Sequence, residues 1–116
     1  MHHEPVELLP GTLELLVLKA LSLEPMHGWG IGNRITQLSS DVFSVQQGSL
    51  YPALQRMLRK GWVRSEWRAS DNNRRARYYI LTREGARQLA TETSLWQRAS
   101  GAVNDILQVR PTPARA

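Results

Sequence analysis

The 116-residue chain is long enough to bury a core and short enough to form a single domain. It has no cysteine and a net charge of +5, which excludes disulfides and thiolate metal sites, fits a reducing compartment and points to an anionic partner. The start lacks a cationic segment followed by an apolar one, and the apolar stretch Leu13 to Leu23 is broken by Glu14, Lys19 and Ser22; neither a secretory signal nor a membrane span is expected.

In chain order, residues 1–7 read as a flexible N-terminus, its His2 and His3 belonging to a disordered or added end rather than a metal site. The first helix, Leu13 to Leu23, is apolar on nearly every side, the pattern of a helix buried all round. A chain this small can hardly surround one helix by itself, so a second subunit is expected over part of it, through Leu13 and Leu16. Glu24 to Gly28 breaks that helix. A second runs from about Gly28 to Ser39, with Trp29, Ile31, Ile35 and Leu38 on its apolar side. The alternating Gly28, Gly30 and Gly32 resemble a phosphate-binding loop only superficially, since no strand precedes them and no Walker lysine follows; close packing accounts for them better. His27 reads as the residue that opens this helix, not as a catalyst.

Residues Ser40 to Ser44 form the next turn. Ser44 and Gln47 have capping-box spacing, whereas Pro52 belongs in a first helical turn; the conflict is met by starting the third helix near Gln47 with an irregular opening. Its amides would then point outward, toward a phosphate. On this helix Leu50, Leu54, Met57 and Leu58 share one face, and Ser49, Pro52, Gln55, Arg56 and Arg59 the other. A cationic face of this kind suits solvent as well as a DNA groove, and the segment after the helix decides between them. Gly61 stops the helix, Trp62 to Arg68 alternates as a half-buried strand, and Asp71 to Asn73 supply a turn. Ala76 to Leu81 returns as a second strand with Tyr78 and Ile80 on one face. A helix followed by a basic hairpin is the layout of a winged helix-turn-helix.

Charge is partitioned along the chain, with residues 1–33 carrying −3, residues 34–87 carrying +7 and the remainder +1. The positive block coincides with the third helix and the hairpin, the footprint of a polyanion partner. Arginine outnumbers lysine thirteen to two, which suits bidentate phosphate or guanine contacts and equally a GC-rich genome. The last helix begins at Thr82, a cap, and runs to about Gln108. Leu89, Trp96 and Val103 recur along it every seven residues, flanked by Ala99, Ile106 and Leu107. This stripe is expected to pair with its symmetry mate and with the first helix; Trp96 reads first as a core residue, and in the functional reading as the wall of a pocket for a planar, small hydrophobic effector. The tail, 109–116, is Pro-rich and expected to be disordered.

Four blocks together, Leu13 to Leu21, Met26 to Ile31, Gln47 to Leu54 and Asn73 to Gly85, resemble the PadR family of bacterial transcriptional regulators, particularly the short members common in acidobacteria. The resemblance spans about residues 8–108, with Trp29 standing where the family usually has tyrosine and a C-terminal region of one helix. It implies a homodimeric winged-helix repressor dimerised by its last helix, with DNA contacts from Ser49 and Tyr51 on the reading helix and from Arg74, Arg75 and Arg77 on the wing. Beside these, the helical wheel adds Gln55, Arg56 and Arg59, with Gln55 or Arg56 best placed for base edges; Gln47, Gly48 and Asn73 complete the DNA-contact set.

The expected fold is therefore mainly α with a small two-stranded β-hairpin (α+β). It comprises a winged helix-turn-helix over 8–81 and a C-terminal dimerisation helix over 82–108. The expected function is a cytoplasmic, nucleoid-associated homodimer that binds double-stranded DNA as a repressor of a palindromic operator, relieved by an effector. The alternative is a winged-helix module for an acidic protein partner. No paired acid and base, metal-ligand cluster or nucleophile constellation points to an enzyme, and no cofactor is implied.

Overall fold

A computed structural model describes residues 6, 8 and 11–113, in the order α1 Thr12–Leu23, β1 Met26–His27, α2 Gly28–Leu38, α3 Gln47–Arg59, β2 Val63–Ala69, β3 Arg75–Leu81 and α4 Arg83–Leu107. Apart from Val6, the expected flexible start and its histidines lie outside the described residues, as does the last part of the expected tail; residues 109–113 are exposed and carry no helix or strand. Val6 forms an isolated parallel bridge with Phe43.

The core lies where α1, α2 and α3 meet. Val17, Leu18 and Leu21 of α1, Ile31 and Ile35 of α2, and Leu50, Leu54 and Met57 of α3 project into it at helical spacing. Val63 and Tyr79 close it from the sheet side. Within α1 the buried positions are Val17, Leu18, Ala20 and Leu21; Leu13, Leu15 and Leu16 are half-buried, so this chain alone covers only part of that apolar helix.

The sheet has three antiparallel strands in the order β1-β3-β2, one more than the hairpin expected from sequence. The extra strand is two residues long, pairing Met26 with Tyr79 and His27 with Tyr78, and two residues cannot display a period. In the hairpin Ser65 opposes Tyr79 and Trp67 opposes Arg77, so Val63, Ser65, Trp67, Arg77, Tyr79 and Leu81 share a face. Tyr78 and Ile80 do share a face as expected, but the face that enters the core is that of Tyr79.

Two junctions fix the wing against the helices. Gly61, at φ +76°, lets the chain turn out of α3, with its N–H bonded to Leu58 O and that of Trp62 to Met57 O, closing the helix in a Schellman arrangement. At the other junction the Thr82 hydroxyl accepts the Gly85 N–H at 3.0 Å and stands 2.6 Å from Gly61 O, so one residue caps α4 and ties it to the end of α3.

Candidate nucleic-acid interface

The start of α3 is exposed at Gln47, Gly48 and Ser49, and the capping box suggested by Ser44 does not form: Gln46 is the N-cap and makes no side-chain cap bond. No carboxylate lies in the first turn, leaving the positive end of the helix uncompensated. Pro52, inside the helix, has no N–H to give the Gly48 carbonyl.

Tyr51 has its ring packed against the backbone of α2: a Cβ at Gly28 would lie 2.7 Å from the Tyr51 hydroxyl. The expectation that these glycines serve close packing thus holds at Gly28. It holds less tightly at Gly30, where an added Cβ would lie 3.3 Å from the His27 ring, whereas a Cβ at Gly32 would meet only ordinary contacts. His27 opens α2 as expected, its Nδ1 accepting the Gly30 N–H at 3.0 Å.

Between α3 and the wing runs a groove of about 750 Å³. It brings together Tyr51 and Gln55 from α3 and Arg74, Arg75 and Arg77 from the wing, five of the residues singled out from sequence. Arg77 donates from Nε to Ser65 Oγ at 2.8 Å and lies over the Tyr79 ring at 5.6 Å, so its guanidinium is held in place. Burial pushes the Tyr79 phenol above its ordinary value, outweighing the opposite pull of the Arg77 cation. At the wing tip the Ser70 hydroxyl bonds Asn72 Oδ1 and Arg74 O, and Asn73 adopts φ +62°, a left-handed conformation that asparagine tolerates.

Other residues expected from sequence lie elsewhere. Arg59 is exposed at the far end of α3, and Arg56 is engaged, its Nε 2.8 Å from Glu14 Oε1 on α1. On the opposite face of the wing Glu66 accepts from both Arg68 and Arg64, which hold its carboxyl below the usual range. This carboxylate is thereby kept off the groove face. Among the groove residues that the sequence did not single out as site residues are two indoles, Trp29 and Trp67. Trp67 reads as a half-buried strand residue until the register shows it opposite Arg77, beyond the reach of the core.

A second cavity, about 420 Å³, lies between α1 and α4 and gathers Leu16, Leu89 and Trp96 with Phe43. Beyond it α4 carries Val103, Ile106 and Leu107 exposed, and Gly85 is its only buried residue among those described.

A sequence profile described as the transcriptional regulator PadR-like family matches residues 17–91, more than half of the chain. The chain belongs to this family. It is therefore a DNA-binding transcriptional regulator and not an enzyme. The PadR-like profile covers α3 and the wing and ends within α4. Similar solved structures agree: a PadR-like transcriptional regulator from Bacillus cereus is 29% identical, with 86% of this chain and 95% of that one covered at a TM-score of 0.75. A PadR family regulator from Eggerthella lenta is also 29% identical, over 86% of this chain and 85% of that one at 0.71. One from Clostridium difficile is 26% identical, over 84% and 99% at 0.71. No functionally curated protein matches.

Proposed function

We propose that this PadR-like chain is a homodimeric repressor that binds a palindromic operator in the cytoplasm and is released by a small hydrophobic effector. The observation that carries the DNA half is the groove that joins Tyr51 and Gln55 of α3 to Arg74, Arg75 and Arg77 of the wing. Residues 8–81 form the DNA-binding unit and 82–108 the dimerisation helix. Gln47, Gly48, Ser49, Tyr51 and Asn73 anchor the backbone, Gln55 reads base edges, and Arg59 contributes field. Arg56 joins the base readers once its bond to Glu14 opens. Two copies paired through Leu13, Leu16, Leu89, Trp96, Ala99, Val103, Ile106 and Leu107 present their reading helices about 34 Å apart, one turn of DNA.

The effector half is supported by the cavity between α1 and α4, whose lining is mostly apolar and includes the Trp96 indole. A ligand there acts by shifting α4 against α1, and a displacement of a few ångströms between half-sites removes one helix from register.

Selection of bound fragments from genomic DNA, followed by titration of the enriched duplex at several salt concentrations, tests the reading. The fragments share an inverted repeat, and log K falls with log salt by about 0.9 per phosphate neutralised. A flat salt dependence, or fragments without symmetry, would sink it.

A further inference from the structure

We propose that Trp29 and Trp67 form an aromatic clasp for one sugar–phosphate strand of duplex DNA, seated in the groove between α3 and the wing. The inference rests on the DNA-binding reading and extends it to two residues outside the expected contact set. Both indoles line the groove and both are largely bare, Trp29 at 64% and Trp67 at 61% exposure. Neither contributes to the core, yet each is a large apolar surface held out toward water, which folding alone does not favour.

Both rings are also held in position. The Arg75 guanidinium lies 5.4 Å from the Trp67 ring centroid. The Trp29 ring stacks at a tilt on that of His27, at 6.4 Å between centroids and 29° between planes. His27 is itself fixed by the Gly30 N–H at 3.0 Å and by the edge of Tyr78 at 5.4 Å. Each indole thus has one neighbour that restricts it before anything binds.

Charge selects the occupant. The groove carries Arg74, Arg75 and Arg77 against one carboxylate, Asp71, so it is matched to a polyanion that also presents apolar surface. A deoxyribose–phosphate strand has that composition: C–H faces of the sugars lie on the indoles, indole N–H groups donate to phosphate oxygens, and the arginines take the charge. Arg75 has both roles, orienting Trp67 and meeting a phosphate. The contact is indifferent to base sequence, so it adds affinity to every duplex alike.

The test uses the full chain and its selected duplex, with Trp29→Ala, Trp67→Ala, Trp29→Phe, Trp67→Phe and Arg75→Ala variants checked for cooperative unfolding. Each alanine variant is expected to bind roughly five- to tenfold more weakly, to the selected and to an unrelated duplex alike, with the salt slope unchanged. The phenylalanine variants recover part of the loss, and Arg75→Ala lowers the slope by about 0.9. Hydroxyl-radical cleavage, which reports on deoxyriboses, loses protection at the same sugars in both alanine variants. Folded alanine variants that bind the duplex as the wild type does overturn the clasp while leaving the DNA-binding reading intact. Wild-type protein that binds no duplex overturns both. Tighter binding of a single strand that depends on the two indoles assigns them to base stacking instead and overturns the duplex clasp.

Discussion

Arg56 Nε on the reading helix donates to Glu14 Oε1 on α1 at 2.8 Å, with the glutamate side chain only 16% exposed. The pair connects the helix proposed to read DNA to the helix that lines the α1–α4 cavity through Leu15 and Leu16. With the arginine half in solvent, the pair adds about 0.5 kcal/mol to stability. Its larger consequence is for binding: Glu14→Gln releases the guanidinium and removes a carboxylate beside α3. The variant is expected to unfold at slightly lower denaturant and to bind duplex DNA a fewfold more tightly, whereas Arg56→Ala binds more weakly. Fluorescence anisotropy on both variants checks this, and equal weakening by the two would show the pair acts only by positioning α3.

Gly85 allows α4 to approach the end of α3. A Cβ there would overlap the Trp62 carbonyl oxygen and carbon, backbone atoms that cannot rotate away. Gly85→Ala is expected to lose about 2–3 kcal/mol, with a fall in Tm of roughly 10 °C or more. Gly101, on the same helix, is the control, because a Cβ added there would meet nothing within 4 Å. There alanine gains up to about 1 kcal/mol from helix propensity. Calorimetry on both variants separates crowding at the junction from a general effect of α4 helicity.

Much of this fold is legible in the sequence because its helices carry strong periods. Leu50, Leu54 and Met57 fall on one face of α3, Thr82 caps α4, and Gly61 ends α3, each where residue chemistry places it. What escapes is decided by pairing rather than by local pattern. β1 has no period to read, and Tyr79 rather than Tyr78 enters the core because the register against Ser65 turns it there. The bond between Arg56 and Glu14 joins residues 42 positions apart, a separation at which no local pattern operates. The exposure of Trp29 and Trp67 is likewise a tertiary property, since aromatic residues in alternating or helical patterns ordinarily signal burial.

Glu66 makes the wing sensitive to acid. Because Arg68 and Arg64 lower its pKa in the folded protein, the ionised carboxylate stabilises the fold at and above the ordinary glutamate range, and that contribution is lost as pH falls through the depressed folded value. Glu66→Gln removes the effect. Denaturant midpoints of the two proteins are expected to differ at neutral pH and to converge on acidification. A gap that stays constant with pH would mean the glutamate contributes through packing alone.

The outer half of α4 is where the dimer proposal is most exposed to test. Val103, Ile106 and Leu107 are bare in the single chain and make no contribution to its core, so a charge placed there has little effect on monomer folding. Val103→Asp is expected to keep the helical spectrum and unfold cooperatively, yet sediment as a monomer where the wild type sediments as a dimer, because pairing would bury an unpaired carboxylate. A monomer still places α3 and the wing on one half-site. Its affinity for a half-site duplex should therefore match that of the wild type at equal chain concentration, while its affinity for the full inverted repeat drops by about a hundredfold or more, the loss of linkage between two sites. A variant that becomes monomeric but keeps full affinity for the repeat would show that α4 pairing does not set the spacing of the reading helices.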